Sequence, residues 1–505
     1  MLHGDILGER ARLTPDREAL AMSDGSLRLT YGELDTRVAS VAAALRDRLA
    51  IAKGDRVGLL AGNCPEFLDV FFSAGKNGMI VVPLSTRATV HELEGIVRDS
   101  GMRLLVHGPE FAEVAQRLRD SGAVAKIMSV GELQHLTLRT GEDRERSPFT
   151  PGSPDDVYCL LYTSGTTGKP KGVMIPHRMV AWNGYNTAMN WGLREDDRSP
   201  IFTPLYHAGA LGAFLTPIIA IGGTIILHRR FDVDEVWATI ERERCTVVLG
   251  VPTIWKMLMD APSFAATDLS NVRWLISGGA PLPTYIIEAY QKRGVVFRQG
   301  FGMTEVGVNC FSMTNEDSYR KLGSIGRPMM YTEARLTRED GTECGADEVG
   351  DLWFRGPHVS SGYWNNPEAT EASFRPDGWF RTGDSARRDA DGFYSIAGRK
   401  KEMFISGGVN VYPAEIEAEL VQHPTVSDAA VIGVEDPTWG EVGAAFVVAA
   451  PGMTIDIAEL EAWLGERLSR LKLPKRWTVM DALPRTPYGK VEKHKLRGDG
   501  RVVSC

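Results

Sequence analysis

Between Arg56 and Leu84 the chain runs RVGLLAG, then a segment opened by Pro65 and continued by FLDVFFSA, then MIVVPL. Two short runs, apolar apart from the opening Arg56, flank a longer one, and neither alternates between polar and apolar as a half-exposed strand would. That pattern predicts strands buried on both faces and joined by a helix, the βαβ unit of a parallel sheet. Thr30 with Glu33 and Thr89 with Glu92 are capping boxes. They predict a helix over 34–49 and another after Thr89. The alternation resumes after about residue 155 with CLLYT (Cys159–Thr163), TVVLGV (Thr246–Val251) and VRWLIS (Val272–Ser277). From Gly326 short alternating segments, EARLTRED and GDLWFRG among them, predict a small antiparallel unit that ends in a hairpin turning at Asp391-Gly392. After Gly398 the signals are α+β: a helix in PAEIEAELVQHP, strands in DAAVIGV and AAFVVAA, and a helix over 457–471 capped by Asp456. The fold class is therefore α/β. Residues 1–398 form a large domain of doubly wound, mostly parallel sheets plus a small β unit, and residues 399–505 a small α+β domain.

A chain of 505 residues has room for about three domain-sized units, since a domain runs to ~150 residues. Its 57 Lys and Arg against 65 Asp and Glu leave a net charge of −8, which excludes a nucleic-acid coat. No CxxC pair occurs among the six cysteines, so neither a zinc cage nor a disulfide framework is expected, and a reducing cytoplasm is the default. The N-terminal residues mix acids and bases with no apolar core, so no signal peptide is expected. One uncharged stretch, residues 208–227, is long enough to cross a bilayer, but Pro217 and Gly222-Gly223 interrupt it. A buried helix, a tight turn and a core strand account for it better, so no transmembrane segment is expected. The tail ending in Cys505 is neither a prenylation box nor a peroxisomal signal.

The densest chemistry lies in YTSGTTGKPKGV, Tyr162–Val173. Thr163, Ser164, Thr166 and Thr167 are hydroxyl donors, Gly165 and Gly168 let backbone N–H groups approach an anion, and Lys169 adds positive charge. Its spacing fails the Walker A pattern, because Pro170 follows the lysine. Strand signals on both sides make it a loop between two strands, which closes over a nucleotide as a flap.

The segment resembles the phosphate loop of the acyl-adenylate-forming superfamily, in its acyl-CoA synthetase branch. Further motifs agree, in order. SGGAPL (Ser277–Leu282) and QGFGMTE (Gln299–Glu305) resemble the adenine- and phosphate-binding segments. WFRTGD (Trp379–Asp384) and AGRKKEMFISGGVNVYPAEIE (Ala397–Glu417) resemble the ribose site and the interdomain hinge. PRTPYGKVEK (Pro484–Lys493) resembles the segment that carries the adenylation lysine. The resemblance implies nucleotide contacts from Thr163 through Lys169, from Gly279, Ala280 and Pro281, from Gly300, Phe301, Gly302, Met303 and Thr304, and from Asp384, Arg399 and Lys490. It also implies a C-terminal domain that turns about Lys401.

Each motif also has a plainer reading. Thr304 can donate to the α-phosphate and Glu305 can hold Mg²⁺ by a hard oxygen, or Thr304 can cap a helix. Asp384 can accept both ribose hydroxyls, or cap a turn. Arg399 can donate beside it, or form a surface salt bridge. Lys490 bears the central role: a carboxylate and an α-phosphate ~4 Å apart repel by about 4 kcal/mol at an effective dielectric of 20, and a cation touching both removes that cost. Taken alone, a lysine in a lysine-rich tail is a solvated charge. His207, in PLYHAGAL, matches an acyl-pocket histidine or is a satisfied core histidine. Trp182, Tyr185, Met189 and Trp191 near helical spacing read as core, with Trp182 placed at the acyl pocket beside Gly300 and Val306. Gly408, Trp439 and Lys472 are implied for the CoA channel.

The implied reaction is ATP-dependent: ATP·Mg²⁺ and a carboxylic acid give acyl-AMP and pyrophosphate, and coenzyme A then displaces AMP. Three departures from the family pattern stand out: Phe301 for the usual Tyr, Val409 for the common Glu, and an extra lysine in GRKKE. A medium- or long-chain fatty acid is the favoured substrate, with aryl-propenoates of the feruloyl or coumaroyl kind second. Loading of a carrier protein, a luciferase-type oxygenase and a nucleotide-sensing scaffold are the alternatives, and a homodimer is left open.

Overall fold

The computed structural model describes residues 4–138, 153–163, 170–485, 491–497 and 503–504. Of the residues singled out above, 164–169 and Lys490 lie outside the described residues. The first sheet has the strand order Ile127–Ser129, Leu104–His107, Arg56–Leu60, Ile80–Pro83, Val157–Thr163, Lys171–Pro176. All neighbours are parallel except the last pair, an antiparallel hairpin. A second sheet, Arg28–Thr30, Glu18–Met22, Thr224–Leu227 and Arg198–Ile201, packs in the same body. In the third sheet Val247–Gly250, Trp274–Ser277 and Phe297–Gln299 run parallel, so their carboxyl ends share one edge. The antiparallel unit pairs Glu333–Thr337, Val349–Arg355, Phe380–Arg388 and Tyr394–Arg399 in sequence order. After the short turn Lys400–Glu402 a separate six-stranded sheet begins at Phe404.

Local signals place most elements. Both capping boxes form: Thr30 and Thr89 accept from the backbone of Glu33 and Glu92, and each glutamate answers to its cap's own N–H. Pro65 is the first residue of its helix, Pro65–Asn77, where its missing N–H costs nothing. The stretch 208–227 is a π-turn at Gly209–Leu215, a helix at Thr216–Ile221 and a core strand at Thr224–Leu227. Among the described residues no helix is long and apolar enough to cross a membrane.

Three helices are shorter than the sequence suggests, and the one in PAEIEAELVQHP runs only over Pro413–Leu420. The one capped by Thr30 is regular only over Tyr31–Ala43 and then loosens into a π-turn, Ala44–Arg48. The one capped by Asp456 stops at Gly465, where a residue without a side chain weakens the helix by about 1 kcal/mol. The aromatic series on the helix His177–Trp191 is split. Trp191 is buried against Phe214 and Trp274, whereas Tyr185 and Met189 are exposed on the outer face.

His228 follows the core strand and is fully buried, edge-on to Phe202. Neither ring nitrogen has a hydrogen-bond partner among the described residues, and Glu235 Oε1 lies 3.7 Å from Nδ1. Burial pushes its pKa down to about 4. The folded protein therefore holds it neutral while the unfolded chain protonates near 6.5, so stability is complete above pH 6.5 and falls as pH drops toward 4. The loss amounts to about 3 kcal/mol. In melting experiments at pH 7.5 and 4.5, His228→Leu should lose less stability on acidification than the wild type; an identical loss would remove His228 as the source.

Candidate active site

The carboxyl-end edge of the third sheet is where an open parallel sheet presents backbone to a ligand. Gly278 N–H donates to Gly250 O (3.2 Å) and Gly300 N–H to Ser277 O (2.8 Å), so the glycine-rich ends of neighbouring strands lie side by side. Gly279, at φ +85°, turns the chain into Ala280-Pro281. Leu282 N–H donates to the buried Gln299 side-chain oxygen at 3.1 Å, which ties the SGGAPL and QGFGMTE segments together.

From Gly300 the chain turns sharply. Met303 N–H donates to Gly307 O (3.2 Å) and Cys310 N–H to Phe301 O (3.0 Å). Residues 303–307 make a tight turn and not a helix, so Thr304 is not a helix cap. Gly302 is pressed against the returning chain: a Cβ there would lie 2.2 Å from the carbonyl of Val308. Phe301 stacks on Phe354 and meets Phe311 edge-on, so part of its ring belongs to the neighbouring core.

Glu305 is buried, and its Oε1 accepts from the Tyr363 hydroxyl at 3.1 Å. Tyr363 comes from a segment that adds to the outer strand of the phosphate hairpin: Met174 N–H donates to Gly362 O, Ser361 N–H to Met174 O and Trp364 N–H to Gly172 O. Lys171 Nζ lies 5.2 Å from the centre of the Tyr363 ring. Burial and the Glu305 carboxylate push the Tyr363 phenol well up, with Arg399 opposing. The hydroxyl therefore stays a donor. Thr163 pairs with Lys171 at the end of the hairpin, with the rest of the phosphate loop, 164–169, outside the described residues.

Asp384 and Arg399 are register partners on adjacent strands, joined by Arg399 Nε to Asp384 Oδ1 at 2.6 Å. Asp384 is buried within a strand and so is not a turn cap, while the Arg399 side chain is partly exposed and pairs with it. Lys401 sits exposed in the turn Lys400–Glu402. Beyond it Gly407 N–H donates to Trp439 O, and the Trp439 ring and the Leu471 side chain both lie against Gly407. Gly408 follows at φ +82° with open space beside it, and Lys472 pairs with Glu415 at 2.7 Å. The three residues assigned to the CoA channel thus lie close together.

A cavity of about 50 Å³ lies beside Thr304, with Phe71, Met179, Asn183, Leu211 and Val308 in its wall. Val306 faces a separate core with Phe354, and Gly300 abuts Ile276, so neither lines it. Trp182 packs on Tyr331 at the outer face of its helix and also lies outside the lining. His207 is exposed and not a core histidine; its Nδ1 accepts from Gly209 N–H, and its neighbour Ala208 lines the cavity. Sequence reasoning missed Tyr363, Asn183 and Gly307.

A family model described as AMP-binding enzyme matches residues 7–364, and the AMP-binding enzyme C-terminal domain matches 415–490. The chain belongs to the AMP-binding enzyme family. It is 42% identical over 97% of each chain to a feruloyl-CoA synthase of Amycolatopsis sp., and 36% identical over 98% of this chain and 97% of the other to a long-chain-fatty-acid–CoA ligase of Mycobacterium tuberculosis. The fold matches an o-succinylbenzoate CoA synthetase of Bacillus subtilis bound to its acyl-adenylate (TM-score 0.88, 33% identity, 99% of each chain). An anthranilate CoA ligase in complex with anthranoyl-AMP gives a TM-score of 0.90 at 28% identity, over 98% of this chain and 97% of the other. As a member of this family the chain is an acid–thiol ligase, an AMP-forming acyl-CoA synthetase that binds ATP.

Gly302→Ala should cost about 1–3 kcal/mol of stability and weaken AMP binding, because the new methyl meets main chain that cannot yield. Gly300→Ala, whose Cβ would touch only the Ile276 side chain at 3.3 Å, should be much milder. Melting curves and AMP titrations of the two variants check this ordering.

Proposed function

We propose that the chain adenylates an aryl carboxylic acid and transfers the acyl group to coenzyme A. The observation that carries this reading is the cavity beside Thr304: small and mostly apolar, lined by Phe71, Leu211 and Val308, with one side-chain amide in its wall. A flat ring suits such a space better than an extended chain. The aryl acids named for the feruloyl, o-succinylbenzoate and anthranilate relatives point the same way. A medium- or long-chain fatty acid is the second reading, favoured by the apolar wall and by the mycobacterial relative.

In this reading the phosphate hairpin around Thr163 and residues 164–169 closes on the triphosphate, Gly279–Pro281 and Gly300–Met303 flank the adenine, and Asp384, held by Arg399, accepts the ribose hydroxyls. Thr304 donates to the α-phosphate at the mouth of the acyl cavity. Glu305 is the residue to hold Mg²⁺: it is a buried hard-oxygen ligand whose Oε1 accepts from a neutral hydroxyl, and Mg²⁺ commonly takes one or two carboxylates with substrate phosphates. When bound, the ion supplies charge neutralisation on the phosphates. Lys490 neutralises the meeting of carboxylate and α-phosphate, where two anions otherwise repel. The acid's oxygen attacks the α-phosphorus and pyrophosphate leaves. The C-terminal domain then turns about Arg399–Lys401, and CoA enters past Gly408, Trp439 and Lys472. Its thiolate attacks the acyl carbon and AMP departs.

A pyrophosphate-release assay across aryl and aliphatic acids, with products weighed by mass spectrometry, tests the substrate: the aryl acids should give the higher kcat/KM, and a preference for long chains would reverse the order. Lys490→Ala should nearly abolish adenylation and spare thioester formation from supplied acyl-AMP. Equal loss of both half-reactions in a folded variant would defeat that role. Tyr363→Phe should raise the Mg²⁺ concentration needed for half-maximal adenylation and weaken Mn²⁺ binding to the ATP complex, read by electron paramagnetic resonance.

A further inference from the structure

Asn183 sits on the helix His177–Trp191, in the wall of the cavity beside Thr304, and is 5% exposed. Its Nδ2 donates to Gly212 O at 2.5 Å. Because a carbonyl can only accept, that bond fixes which end of the amide is oxygen. The oxygen, Oδ1, is buried and has no hydrogen-bond partner among the described residues. It lies against Gly307, where an added Cβ would come within 2.9 Å of it, and Gly307 is itself part of the cavity wall. Gly307 is at φ +79°, so both backbone and space require glycine there.

Buried amide oxygens are nearly always satisfied, because an acceptor stripped of water and given no donor destabilises whatever holds it. Around Asn183 the wall is mostly apolar, with Phe71, Leu161, Met179 and Val308 in it; the Thr216 and Thr304 hydroxyls also line the cavity, and neither is bonded to Oδ1. A ligand seated in the cavity can bring the donor that Oδ1 lacks. We propose that Asn183 is a specificity-determining residue whose Oδ1 accepts a hydrogen bond from a hydroxyl on the substrate ring, so that the preferred acids are phenolic aryl acids. A bare ring or a methyl ether fills the same space and leaves Oδ1 unpaired. Sites that hydrogen-bond a hydroxyl discriminate against analogues lacking it far more strongly than apolar pockets discriminate by shape. This inference rests on the aryl-acid reading of the same cavity.

The test compares kcat/KM for matched acids, 4-hydroxycinnamate against cinnamate and 4-methoxycinnamate, in the wild-type enzyme. A preference for the hydroxylated acid of tenfold or more is expected, and Asn183→Leu should bring the ratio to about one. The wild-type comparison stands without any variant. Titration of the corresponding non-hydrolysable acyl-adenylate analogues gives the same preference as a ratio of dissociation constants. Equal kcat/KM for the three acids in the wild type, or a preference that survives in a folded Asn183→Leu protein, overturns the role of Asn183 and leaves the aryl-acid reading intact. Failure to adenylate any of the three overturns both.

Discussion

The site depends on one close approach of backbone to backbone. Gly302 lies against the carbonyl of Val308 with no room for a methyl group, and that contact lets the chain reverse between Phe301 and Cys310. The reversal sets Thr304 and Glu305 at the edge of a parallel sheet, with Gly307 and Val308 facing back toward the acyl cavity. In the proposed reading, the groups that face phosphate and those that face the acyl group come from the two limbs of one turn. A reaction that joins a carboxylate to a phosphate needs that adjacency, because the reacting oxygen must approach phosphorus within a narrow range of distance and direction.

A second constraint is the strand-like segment 361–364, which bonds along Lys171–Pro176 and carries Tyr363 to Glu305. The phosphate hairpin and the carboxylate assigned to the metal are therefore not independent. Arg178, at the start of the cavity helix, anchors the approach to that segment by donating to Pro357 O and Val359 O. Hairpin, carboxylate and cavity helix share one hydrogen-bonded frame, and a displacement in any of them reaches the others through main-chain bonds, which are stiffer than side-chain packing.

Much of this was legible in the sequence where the signal is local. Capping boxes, Pro65, the interruption at Pro217 and Gly222, and the strands flanking the phosphate loop depend on neighbours a few residues away. The nucleotide motifs were legible because they are compact and occur in order. Helix length was less so: the loosening at Ala44–Arg48 and the stop at Gly465 reflect weak preferences that tertiary packing decides. Tyr363 and Asn183 could not be found locally, since Tyr363 matters through Glu305 and Asn183 through Gly212 and Gly307. Trp182 shows the converse. Its aromatic neighbours in sequence suggested a pocket wall, but helical phase turns it toward Tyr331 while Asn183, one residue on, faces the cavity.

Lys493 is largely buried, and its ammonium touches both Glu402, next to Lys401, and Glu417 on the first helix of the C-terminal unit. Burial is outweighed by the two carboxylates, which push its pKa up and keep it charged. The turn between the two sheets and the segment that follows Lys490 are thereby riveted to the same rigid plate. In the rotation proposed for the smaller unit, that turn and the segment from Val491 onward move as one piece.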